Sequence, residues 1–169
     1  GETDHFHPEL VHDNHMVDPP GRAEDGYHLT EDLVDRAIRM VHDTVSVRPD
    51  RPYFLYFALG ATHAPHQAPA EYLERYRGRF DSGWDVAREE WFARQVAEGL
   101  VPEGTELAPR NPGVEPWDSL PENQRRLAAR LQEAFAAFLD HTDAQLGRLL
   151  GALERLGRLD NTLFALLSD

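Results

Sequence analysis

The residues with the clearest capacity for chemistry in this sequence follow two apolar runs. His63 and His66 lie in a loop after the run at residues 53–59, and Asp169 directly follows a second run at the end of the chain. A loop histidine can hydrogen-bond an anionic substrate or pass a proton to a leaving group. An aspartate offers the oxygen ligands that hard cations such as Ca²⁺ and Mg²⁺ prefer. These residue types indicate a site for an anionic group beside a metal ion, with either histidine as the candidate; a polar surface loop is the alternative for each.

Four more histidines occur in the first 27 residues, where prolines, glycines and scattered acidic residues predict a loop. His5 and His7 are one residue apart and could bind a metal ion, with His12 and His15 as further ligands. No helical spacing supports such a site. A polar surface loop is therefore the preferred interpretation of these four residues.

Two predicted strands would position the candidate site. The run at 53–59 does not alternate, which is typical of a parallel strand buried on both faces, and Gly60 ends it. Residues 162–168 form the second strand. A strand, a helical crossover and a strand imply a right-handed parallel connection, and ligands of such sheets bind outside the carboxyl ends of the strands. If the two strands are neighbours, His63 and Asp169 point into one cleft.

Helices are predicted between and before these strands from apolar residues at three- and four-residue steps. Thr30 is the expected N-cap of the first helix, and Gly157 the expected cap after the last. A coiled coil is the competing interpretation of the last and longest helix. The proline-rich segment 100–121 is predicted to wrap the surface, with Trp117 either anchoring it or lining a pocket. The predicted helices are 30–47, 70–76, 85–99 and 121–156.

The composition limits the class of protein. A hydrophobic share of 41% and a charged share of 28% are globular values. The net charge of −13 argues against nucleic acid as a partner, because phosphate binding needs clustered basic residues. The absence of cysteine excludes disulfides and cysteine zinc sites. No stretch is long enough to span a membrane. The chain has no initiator methionine and ends on a predicted strand, which predicts a piece of a larger domain.

Residues 27–38, 52–69 and 138–162, with the terminal Leu-Leu-Ser-Asp, resemble the sulfatase family, in particular bacterial arylsulfatases within the alkaline-phosphatase-like superfamily. The resemblance implies an α/β fold with a largely parallel central sheet flanked by helices, of which residues 1–169 form the central portion of a single catalytic domain. It also implies hydrolysis of small-molecule sulfate esters, a divalent cation that is usually Ca²⁺ and less often Mg²⁺, and a formylglycine nucleophile made from Cys or Ser.

Two site residues are implied by matching the family's motifs. The first histidine of Thr-His-Ala-Pro-His-Gln-Ala-Pro matches the family's sulfate-contacting histidine, which selects His63 over His66 for sulfate binding and for protonating the departing alcohol oxygen. Asp169 matches the first residue of the family's Asp-Asn metal-binding pair, whose Asn would follow the last residue of the chain.

Other family motifs have no match in this chain. The early Asp-Asp metal pair, the Cys-x-Pro-Ser-Arg modification motif, the Lys-x-His motif and the later sulfate-binding lysine are all absent. The resemblance therefore implies that these 169 residues are inactive alone. A phosphonate or phosphodiester hydrolase of the same superfamily and a non-catalytic truncated product are the alternatives. Bacterial cytoplasm and periplasm both stay open as compartments, since residues 1–10 lack signal-peptide character.

Overall fold

A computed structural model of the chain describes residues 3–167. These residues form two compact units, each described separately below. The first contains the described residues up to Pro69 and those from Phe138 onward, and the second is Ala70–Ala137. Asp169 lies outside the described residues.

The helix α1, Leu29–Val47, is the first long element of the first unit. Its N-cap is His28 rather than the predicted Thr30: the His28 backbone is extended, and its ring nitrogen Nδ1 accepts a hydrogen bond from the Thr30 amide at 3.2 Å. Acidic residues occupy the first turn, where they interact favourably with the helix dipole. The predicted helix 30–47 is thus confirmed, with its start one residue earlier.

The helix α4, Glu122–Arg155, contributes its C-terminal half to the same unit. It confirms the predicted helix 121–156 to within a residue at each end, and Gly157 follows it with a φ of 65° that favours glycine. Leu149 on α4 packs with Val34 and Ala37 on α1 in the core of the unit.

Residues 53–59 do not pair with another strand in the part of the chain that the structure describes; the only ladder there is the hairpin below. Their side chains alternate in exposure: Leu55 and Phe57 pack against the core between α1 and α4, whereas Phe54 is 89% exposed and Tyr56 is 82% exposed. This period of two is the pattern of a strand with one covered face. The prediction of burial on both faces is therefore wrong, because within residues 3–167 apolar side chains cover one face only.

The predicted strand at 162–168 is described to residue 167 and is also unpaired, with Leu163 96% exposed and Leu167 90% exposed. A parallel central sheet is therefore not confirmed. A strand satisfies its backbone groups through a neighbouring strand, and the described residues supply none to either segment.

A short hairpin lies in the segment that was predicted to be a loop. Strands β1, Leu10–His12, and β2, His15–Val17, are antiparallel, with His12 opposite His15. Asp13 and Asn14 connect them with φ values of 49° and 67°, the left-handed geometry of a two-residue hairpin turn.

The second unit contains α2, Ala70–Arg75, and α3, Gly83–Ala97, which confirm the predicted helices 70–76 and 85–99 to within two residues. Trp117 is buried, and its ring lies so close to Gly83 that a Cβ there would meet it at 2.2 Å. The Trp117 amide also donates to the Asp85 carboxylate at 2.9 Å. Trp117 thus anchors the proline-rich segment through packing. No helix among the described residues is long and apolar enough to cross a membrane.

Candidate active site

The loop that carries the two candidate histidines runs from Gly60 to Pro69, between the extended segment and α2. The His63 amide donates to the Gly60 carbonyl at 2.8 Å, which closes a turn at the start of the loop. The His63 side chain is exposed, whereas His66 is partly buried. Both histidines therefore lie in one loop of the first unit, as predicted, and His63 is the more accessible of the two.

A short contact fixes the state of the His63 ring. Its Nδ1 lies 2.7 Å from the Ala64 carbonyl oxygen. A carbonyl oxygen only accepts hydrogen bonds, so Nδ1 carries the hydrogen in this contact. Nε2 is then the nitrogen that gains or loses a proton when the ring changes charge. In this tautomer His63 can present Nε2 to an anionic group or to a departing oxygen.

The end of the loop is bonded to the start of the chain through Gln67. The Gln67 side-chain oxygen accepts from the His5 amide at 2.7 Å, and its amide nitrogen donates to Asp4 Oδ2, also at 2.7 Å. The Gln67 main-chain carbonyl accepts from His28 Nε2 at 3.2 Å. Three hydrogen bonds from one residue therefore fasten the loop to residues 4–5 and to the N-cap of α1.

Three buried histidines form the surface beneath the loop. The rings of His5 and His28 stack with centroids 5.5 Å apart, and the His28 and His141 rings meet edge to face at 4.5 Å. Phe138 packs edge to face against His5 at 4.8 Å. His141 Nε2 lies 3.0 Å from a carboxylate oxygen of Glu31. Helices α1 and α4 and the N-terminal segment therefore meet in one cluster, which we call the histidine junction.

Burial controls the charge of these rings. It lowers the pKa of His28 to about 4, helped by the neighbouring His141, and it also lowers the pKa of His5. The hydrogen bonds agree with a neutral His28, since Nδ1 accepts from Thr30 and Nε2 donates to Gln67. Protonation of Nδ1 would set two donors against each other. The Gln67 side chain is the main cause that lowers the pKa of Asp4 to about 2.

The histidine junction was not predicted from the sequence. His5 was assigned to a polar surface loop and is 4% exposed, so that assignment is wrong for His5; His7, His12 and His15 are exposed as expected. A signal existed in His141, a polar residue within the apolar stripe of the longest helix. His28 and Gln67 carry no comparable local signal.

The described residues offer no ready metal site: residues 3–167 contain no group of three or more His, Asp or Glu side chains placed to hold a metal ion. The suggested cluster of His5, His7, His12 and His15 is therefore not formed there. The predicted cleft between His63 and Asp169 remains a prediction, because Asp169 lies outside the described residues.

Comparison with known proteins gives one consistent match. A family model described as Sulfatase matches residues 3–169. An uncharacterized sulfatase of Schizosaccharomyces pombe is 34% identical over 134 residues, which are 79% of this chain and 24% of that protein. An arylsulfatase of Klebsiella aerogenes is 29% identical over 170 residues, which cover 100% of this chain and 35% of that protein. An arylsulfatase of Clostridium perfringens is 24% identical over 156 residues, covering 92% of this chain and 29% of that protein. The chain thus spans about a quarter to a third of the length of these relatives.

Proposed function

The chain belongs to the sulfatase family, and from this we propose that the full-length protein is a sulfate ester hydrolase of arylsulfatase type. Family membership carries an alkaline-phosphatase-like α/β fold. In our proposal these residues form the central portion of one catalytic domain, and small-molecule sulfate esters are the substrates.

The observation that carries the proposal is the placement of His63. It is an exposed imidazole in a loop whose far end is hydrogen-bonded to buried residues, and its Nδ1 is held by the Ala64 carbonyl. We assign Nε2 of His63 to the sulfate ester. There it binds the anionic group and protonates the alcohol oxygen as the sulfur–oxygen bond breaks, because an alkoxide is a poor leaving group until it gains a proton.

The proposal includes two groups that the described residues do not supply. A formylglycine outside this chain would provide the nucleophile, and a Ca²⁺ ion would be held in part by Asp169 and polarise the ester. The described residues do not by themselves fit a metal ion, so we assign no step to one. We accordingly expect the isolated chain to lack hydrolytic activity.

The test is substitution of His63 in the full-length protein, with His66→Ala as the matched control in the same loop. Proton transfer by a positioned side chain contributes about 100- to 10,000-fold to a rate, and we expect His63→Ala to lower kcat by an amount in that range. The loss should be larger for an alkyl sulfate than for a nitrophenyl sulfate, because the acidic nitrophenol leaves without help. The assay is initial-rate hydrolysis of both esters, with melting temperatures to confirm folding.

Three results would contradict this assignment. Unchanged kinetics of His63→Ala would remove His63 from the site, and a loss confined to His66→Ala would move the role to that residue. Faster hydrolysis of an aryl phosphodiester or phosphonate than of the sulfate ester by the wild type would place the protein in another branch of the superfamily.

A further inference from the structure

We propose that Gln67 is a positioning residue, whose hydrogen bonds set the loop that carries His63 onto the histidine junction. This inference rests on the proposed role of His63. It adds a residue that does not touch the substrate and that acts through the geometry of the loop.

The first support is the reach of the Gln67 hydrogen bonds. The side chain joins residues 62 and 63 positions away in the sequence, through the His5 amide and the Asp4 carboxylate. By contrast, the His63 contacts with Gly60 and Ala64 are to its neighbours in the chain. Local contacts of that kind shape a turn but do not fix where the turn lies, whereas the Gln67 bonds fix the loop relative to the core.

The second support is that both polar ends of the side chain are used. The Gln67 oxygen only accepts and its nitrogen only donates, and each meets a partner of the opposite kind at 2.7 Å. Asp4 is itself held, because its other carboxylate oxygen accepts from the amides of Phe6 and His7 at 2.8 and 2.7 Å. The glutamine therefore has one orientation that satisfies both partners.

The third support is the rigidity of the surface to which the loop is fastened. His5 and His28 are 4% and 1% exposed and pack against Phe138, which is fully buried. The His5 ring also lies against the start of the loop, where a Cβ on Gly60 would meet it at 2.8 Å. The loop is thus held at Gly60 by packing and at Gln67 by hydrogen bonds, with His63 between the two fixed points.

The proposal is tested with Gln67→Met in the full-length protein, alone and combined with His63→Ala. Methionine keeps the length of the side chain and removes both of its hydrogen bonds. Since a misplacement of about 1 Å can cost about 100-fold in rate, we expect Gln67→Met to lower kcat for an aryl sulfate by about 10- to 100-fold. In the His63→Ala background the same substitution should change kcat by less than about threefold, because the group that it positions is already gone. Gln124→Met on the exposed surface of α4 is the matched control and should behave as wild type.

Two outcomes would overturn the positioning role: kcat of Gln67→Met within about threefold of wild type, or an equal loss with and without His63, which would mark a general loss of structure. Wild-type kinetics of His63→Ala alone would instead reject the proposed function and this inference with it. If Gln67→Met does not fold, Gln67→Glu provides the test. It keeps the acceptor for the His5 amide and places a carboxylate against Asp4, so we expect a loss of kcat that again vanishes in the His63→Ala background.

Discussion

Acid should destabilise the histidine junction through His28, the ring with the largest printed change in pKa among its three histidines. The folded protein holds this side chain neutral with a pKa of about 4, against 6.5 for an exposed histidine. As the pH falls below 6.5, the unfolded chain binds a proton that the folded protein does not. Stability contributed by the neutral ring is therefore present above pH 6.5 and is lost as the pH falls toward 4.

The size of the effect follows from the two pKa values. One group with these values loses about 2 kcal/mol of stability between pH 7 and pH 5, out of about 3.4 kcal/mol when the loss is complete. His5 adds to the loss in the same direction, since burial lowers its pKa as well. Asp4 acts in a separate window: its pKa falls from 3.8 to about 2, so its contribution is lost only below about pH 4.

Deuterium exchange at the carbon between the two ring nitrogens, read by mass spectrometry, measures this pKa for individual histidines in the full-length protein. The exchange rate rises with pH through the pKa of a ring and then levels off. We expect the His28 rate to be flat between pH 5 and pH 8. A sigmoidal rise centred at pH 6 or above would refute the reasoning.

A stability measurement checks the consequence. His28→Asn keeps a residue that caps helices well and removes the buried ring. The variant should lose less stability than wild type between pH 7 and pH 5, by about 2 kcal/mol in denaturant unfolding. His42→Asn, on the exposed side of α1, is the matched control for removing a histidine. Equal acid sensitivity of wild type and His28→Asn would show that another group is responsible.

Two further predictions concern the ends of the site. Gly60→Ala places a Cβ 2.8 Å from the buried His5 ring and should destabilise the protein by about 1–3 kcal/mol in thermal unfolding, whereas Gly147→Ala, with open space around it in α4, should be neutral or stabilising; equal melting temperatures would contradict the close packing at Gly60. Asp169→Ala should weaken calcium binding in a calorimetric titration while Asp160→Ala leaves it intact, and an unchanged titration would count against Asp169 as a ligand.

Helices were the part of the fold that the sequence determined well. The start and end of α1 and α4 are set by signals within a few residues of each boundary, such as the acidic first turn, Pro49 and Gly157. The apolar repeat that marks each helix is equally local. The loop with His63 and His66 could also be placed from sequence, because Gly60 and two prolines interrupt the apolar run.

Strands were predicted less well because a strand is completed by residues elsewhere in the chain. The apolar letters of 53–59 indicated two buried faces, and yet Phe54 and Tyr56 are exposed. Sequence pattern states which residues are apolar, whereas burial depends on what packs against them. The hairpin at Asp13 and Asn14 was missed for the opposite reason, since strands of three residues are too short to show an alternating pattern.

The resemblance to sulfatases was readable from motifs along the chain, and the family match confirms it. What only the tertiary structure decided is how the His63 loop is held. Asp4, His5, His28, Gln67 and His141 lie far apart in the sequence, and each looks like an ordinary polar residue there. Folding removes them from water, and a buried polar group must then find a partner or give up its charge. That requirement, which no local pattern expresses, joins Gln67 to the start of the chain and keeps the histidines beneath the loop neutral.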